Sequence, residues 1–187
     1  MEDVFEKALA EQCAPTLAGV KAASLFRISG ETGDLRRAAL HWDRLLAPFG
    51  IRIRVLKTCP AAQACMIYVY RQNRVHCILA QPEVRAFLVR MGYRPADTES
   101  LLDQLVRRFC LEEAYPHEIG VFLGYPLEDV EGFIRHRGRN FTCCGQWKCY
   151  GDPAAAVACF ARLRACTLAY KRLYESGIPI TKLIVAA

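Results

Sequence analysis

The sequence predicts a single α/β or α+β domain over residues 1–187, with a mixed or antiparallel central sheet and helices packed on it. Three observations predict this. Ile51, Ile53 and Val55 alternate with Arg52 and Arg54, the period of a half-buried strand. Residues 65–71 are apolar on both faces, as a central strand would be. The link between these segments, residues 58–63, is too short for a helical crossover and therefore implies an antiparallel pair. Strand and helix patterns do not alternate strictly along the chain, which argues against a doubly wound fold.

The remaining elements follow in order. Residues 2–12 read as a short helix, Pro15 and Gly19 interrupt the pattern, and residues 20–28 suit a strand. Residues 34–47 have helical spacing, with Leu35, Ala38, Ala39, Trp42, Leu45 and Leu46 on one face and Asp34 at the cap or first turn. Helices are expected at 82–91 and 98–112, then at 117–123 and 127–136 on either side of Gly124-Tyr125-Pro126. A strand is expected at 140–150. Pro153 after Asp152 opens a long helix to about residue 175, and residues 180–185 read as a last strand.

Apolar residues make up 53% of the chain and charged residues 24%, which excludes a disordered polymer. No run approaches the roughly 20 apolar residues of a membrane helix, so no membrane insertion is expected. The acidic, amphipathic start does not resemble a secretory signal. A cytoplasmic protein whose ten cysteines are free thiols is the expectation. The net charge of +6 comes from scattered arginines, the usual pattern of a solvated surface.

Three segments carry a resemblance. They are Cys13-Ala14-Pro15-Thr16-Leu17-Ala18-Gly19-Val20-Lys21, then Pro116-His117-Glu118-Ile119-Gly120-Val121-Phe122-Leu123-Gly124-Tyr125-Pro126, then Cys144-Gly145-Gln146-Trp147-Lys148-Cys149-Tyr150-Gly151. In this order they resemble an uncharacterised bacterial family of unknown function found mainly in anaerobes, over nearly the whole chain. The resemblance implies redox or iron physiology, with a flavodoxin-like partner and iron, haem or flavin as the cofactors to consider. It also implies a His before Cys13. Gln12 stands there instead, which weakens a Cys-His metal pair.

On a continuous strand, Cys144 and Lys148 share a face, and an ammonium near a thiol favours the thiolate. The ordinary alternative is that cysteines pack as small hydrophobes. Cys159, Leu163, Cys166, Tyr170 and Leu173 form such a stripe on the last helix. No cysteine pair has Cys-x-x-Cys spacing. His117 stands at a helix start, where exposed N–H groups favour anions and an imidazole can act as ligand or proton carrier. The glycines of the three segments suit turns and tight packing, or close backbone approach to a ligand.

If the segments converge, Thr16, Lys21, His117, Tyr125, Trp147 and Lys148 would line a pocket for a flat anion such as a flavin, haem or nucleotide. Cys13, Cys144 and His117 would be its thiol or metal-binding candidates. The expected function is an accessory protein of redox or iron metabolism that binds such a ligand. A thiol-dependent enzyme is one alternative. DNA binding through a helix-turn-helix-like segment at 117–136 is the other. The carboxylates of Glu128, Asp129 and Glu131 would repel a duplex there, so nucleic acid is disfavoured. Phosphate-loop, dinucleotide-binding, nucleophile-elbow and zinc-protease motifs are absent from the sequence.

Overall fold

In the computed structural model, which describes residues 2–111 and 115–185, the expected central strand is β3, Ala64–Arg71. It lies between β1, Ala23–Ser29, and β2, Ile51–Cys59, and pairs antiparallel with both. The fold is therefore α+β. Ala23 stands opposite Tyr70 on one side of β3, and Ile53 stands opposite Val69 on the other. A bulge between Val55 and Lys57 shifts the register of β2.

The chain divides into two compact units, residues 1–74 with 165–187 and residues 75–164. In the first, α1 (Glu2–Gln12) and α3 (Thr32–Leu46) pack on the sheet. Leu35, Ala38, Ala39, Trp42 and Leu46 of α3 are buried as the spacing predicts, whereas Leu45 is exposed. Glu31 caps α3 by accepting from the amides of Gly33 and Asp34, leaving Asp34 in the first turn. Asp43 ties α3 to β2. It accepts from Arg52 Nε and Nη2 at 2.9 and 3.0 Å and from the Ile53 amide at 2.7 Å.

Several elements differ from the sequence expectation. Pro15 does not end regular structure but lies in the first turn of α2, Ala14–Leu17. A helix not anticipated, α4 (Gln72–Ala80), begins directly after β3. Residues 180–185 form no strand. Pro179 instead caps the short helix α10, Ile180–Leu183, which buries Ile180 and Leu183 one turn apart. The Tyr170 hydroxyl donates to Leu183 O at 2.6 Å, satisfying one of that helix's last carbonyls.

The second unit contains α5 (Pro82–Arg90), α6 (Thr98–Leu111), α7 (Ile119–Phe122), α8 (Leu127–His136) and a minimal hairpin, β4 (Cys143–Cys144) and β5 (Lys148–Cys149). The long helix α9, Pro153–Glu175, contributes its residues up to Arg164 to this unit. Its cysteine stripe is only partly a core seam. Leu163 and Tyr170 are buried, Cys159 and Cys166 are half-buried, and Leu173 is exposed. Among the described residues no helix is long and apolar enough to cross a membrane.

Arg71, at the end of β3, is 3% exposed and organises the first unit. Its Nε donates to Thr16 O, and its Nη2 donates to Leu17 O and Val185 O, each at 2.7 Å. Two of these carbonyls belong to the end of α2, where they also accept the amides of Gly19 and Val185, each at 3.1 Å, and the guanidinium takes their second lone pairs. Gly19 then turns the chain at φ +72°, a conformation that costs a glycine little. Arg71→Ala would strip a charged donor from these carbonyls. It is expected to lower unfolding stability by about 3 kcal/mol in urea titration, with Arg71→Lys recovering only part because an ammonium lacks the planar fork.

Candidate ligand site

Pro126 sets the start of α8, which places Asp129 in its first turn. Asp129 is 3% exposed. One oxygen accepts from the amides of Tyr150 at 2.6 Å and Gly151 at 3.0 Å, and the other accepts from Trp147 Nε1 at 2.7 Å. An unpaired buried carboxylate would cost several kcal/mol. Here hydrogen-bond donors and the positive end of the helix offset that cost. The carboxylate thereby fixes the indole and the turn after β5 with respect to α8.

The expected strand at 140–150 is a hairpin. Gly145 N donates to Trp147 O at 3.0 Å, closing a turn between β4 and β5. A Cβ on Gly145 would overlap the ring of Phe160, so the tight turn against α9 requires glycine. Cys144 and Lys148 are thus brought side by side as cross-strand partners and not as neighbours along one strand. Lys148 Nζ donates to Gly138 O at 2.7 Å and lies 4.9 Å from the Phe141 ring centroid and 5.8 Å from that of Phe133.

Trp147 stacks on Tyr125, with centroids 4.7 Å apart and planes inclined by 26°, and meets Phe160 edge-on at 4.6 Å. Burial, with the neighbouring Tyr115 adding to it, pushes the Tyr125 hydroxyl up to about 12, so it is a neutral donor at ordinary pH. His117 is exposed and packs its ring 4.8 Å from that of Phe133.

These residues enclose a cavity of about 310 Å³, open to solvent and mainly apolar. His117, Tyr125, Cys144, Trp147 and Lys148 all line it. The second and third sequence motifs therefore meet. The anion-binding helix start imagined at His117 is not formed. α7 is a single turn, and the amides of Ile119, Gly120 and Val121 donate to the carbonyls of Pro116, His117 and Glu118. Glu118 turns inward, 2% exposed, to meet Arg108 Nε at 2.6 Å and accept from Tyr93 Oη at 3.1 Å.

The first motif lies in the first unit. Cys13 and Thr16 are fully buried in its core, where the Thr16 hydroxyl bonds Ser24 Oγ at 2.9 Å. Burial pushes the Cys13 thiol up to about 12. Lys21 is half-buried. Among the described residues no group of three or more His, Cys, Asp and Glu side chains could hold a metal ion.

A family model described as a protein of unknown function (DUF3793) matches residues 9–184. The chain belongs to that family. No curated protein and no solved structure matches it. In this DUF3793 member, sequence reasoning missed Asp129 and Phe133 as parts of the site. Asp129 reads as one of several carboxylates opening a surface helix, and only the three-dimensional approach of residues 147–151 reveals its use.

Two predictions follow for this DUF3793 member. In Asp129→Asn, an amide serving Tyr150 and Gly151 with its oxygen must turn its NH₂ toward the indole N–H. Unfolding stability should fall by about 1–3 kcal/mol, and Trp147 emission should shift to the red when Trp42, the other tryptophan, is replaced by Phe. Under native alkylation, exposed Cys144 should react readily and Cys13 should react only on unfolding, as peptide mass mapping would show.

Proposed function

We propose that the cavity binds a small planar anion of the flavin or nucleotide type, and that the protein serves as an accessory in redox or iron metabolism. One observation carries the reading. The stacked pair Tyr125–Trp147 walls an open apolar cavity that Lys148 and His117 also line. Aromatic faces suit a ring system, and a lysine and a histidine suit a phosphate or carboxylate. Among the described residues the lining holds one carboxylate, Asp129, and both its oxygens are engaged by N–H donors of the protein.

The volume of about 310 Å³ lies at the small end of the range for small-molecule sites, roughly 300–1,000 Å³, and fits a single ring system better than a whole haem. The redox or iron setting and a flavodoxin-like partner rest on the family resemblance.

DNA binding through residues 117–136 has less support. Its would-be first helix is four residues long, and Asp129 is spent internally. A thiol-dependent reaction would rest on exposed Cys144, opposite Lys148 in the hairpin.

Titration with flavin mononucleotide, an adenine nucleotide and haem, read by Trp147 quenching in a Trp42→Phe background, tests the proposal. One of the first two should bind. Trp147→Ala should weaken it by about 1–3 kcal/mol, roughly 5- to 150-fold, and Lys148→Gln should weaken the phosphorylated ligand more than its dephosphorylated parent. Failure of all three to bind at millimolar concentration would overturn the reading. Turnover lost in Cys144→Ser with binding intact would favour the enzyme.

A further inference from the structure

We propose that Cys143 and Cys149 form a dithiol–disulfide couple, oxidised by a low-molecular-weight disulfide, whose crosslink spans the segment that builds one wall of the cavity. The two residues are register partners in the β4–β5 hairpin. Antiparallel partners hold their Cα atoms about 4.5–5.5 Å apart, inside the range of about 4.4–6.8 Å that a disulfide bridges without backbone movement. Partners across a ladder also project to the same face. The side chains obey this. Cys143 Sγ approaches Pro153 O at 3.9 Å and Cys149 Sγ approaches Asp152 O at 3.6 Å, consecutive carbonyls at the start of α9. Both cysteines pack in one cluster with Phe160. Cys144, by contrast, is paired with Lys148 in the next rung of the ladder, and alternation turns it to the opposite face.

Exposure sets the order of events. Cys143 is half-buried and reachable, whereas Cys149 is 1% exposed. The Cys143 thiolate attacks one sulfur of the small disulfide RSSR, forming a mixed disulfide and expelling RS⁻. The Cys149 thiolate then attacks the Cys143 sulfur and expels the second RS⁻. The two thiol protons end on the two RS⁻ groups, so the cysteines are oxidised by two electrons and RSSR is reduced to two RSH. Burial raises the Cys149 thiol above its ordinary value, so this second step should quicken in alkaline solution.

Residues 144–148, bracketed by the pair, all line the cavity. Oxidation would therefore fix both ends of the segment that carries Trp147 and Lys148. The couple itself does not depend on what the cavity binds, because the crosslink is read by mass alone.

The experiment treats the reduced full chain with oxidised glutathione, blocks residual thiols, and maps tryptic peptides by mass spectrometry. Cleavage after Lys148 separates the two cysteines, so the crosslink appears as a joined peptide pair whose fragments assign the sulfurs. Expected are a Cys143–Cys149 link with no glutathione retained on either of these two residues, whatever glutathione the exposed Cys77, Cys110 and Cys144 take up, and the same link in Cys144→Ser. Cys149→Ala should instead retain one glutathione on Cys143. A link through Cys144 or Cys159 in place of the Cys143–Cys149 link, or stable glutathionylation of Cys143 in the wild-type chain with its circular dichroism unchanged, would overturn the proposal. The wild-type map decides even if a variant fails to fold.

Discussion

The candidate site depends on one buried carboxylate. Asp129 has almost no contact with water, so its charge must be met by donors inside the protein. The donors it finds are the indole of Trp147 and the amides of Tyr150 and Gly151. The first turn of α8, the short hairpin and the entry to α9 are thereby tied to one group. The two strands of that hairpin contribute two residues each, too few to hold a shape by ladder hydrogen bonds alone. Its position is set from outside, by Asp129 on one side and by Phe160 against Gly145 on the other. The stacking of Tyr125 on Trp147 follows from that placement.

The first unit uses the inverse arrangement. There a buried cation, Arg71, gathers backbone carbonyls from α2 and from residue 185. This gives the first sequence motif a physical account. Cys13, Thr16 and Leu17 are core residues, Gly19 makes the turn, and the carbonyls of Thr16 and Leu17 are the acceptors that the guanidinium needs. A motif with cysteine, threonine and lysine suggests chemistry when read as a string. Its buried members instead serve the packing of α2 against β3.

The sheet was legible because period-two alternation and a short link leave few alternatives for residues 51–71. The helices of regular amphipathic spacing, such as α3 and α6, were legible for the same reason. The short elements were not. Apolar, β-branched residues at 180–185 have strand propensity, but Pro179 and the pull of Ile180 and Leu183 into the core select a helical turn. Residues 140–150 look like one strand because nothing local marks Gly145 as a turn. The requirement comes from Phe160, distant in sequence. A straight strand puts Cys144 and Lys148 on one face but about 13 Å apart, and only the hairpin, which the string does not announce, sets them side by side. Asp129 and Glu118 were hidden because a carboxylate at a helix start is ordinarily solvated, and neither Trp147 nor Arg108 is near them in sequence.

The first unit is assembled from both ends of the sequence, with Tyr170, Ile180 and Leu183 completing a core that begins at Phe5. On the ribosome, the chain emerges in order. Residues 75–164 are therefore all available before the last pieces of the first core have been synthesised. Until those pieces arrive, the sheet lacks part of its apolar cover, and Arg71 lacks the carbonyl of Val185. Within this unit the sheet strands, made early, thus wait for apolar residues made late, and a nascent-chain chaperone would meet a β-sheet with part of one face still uncovered.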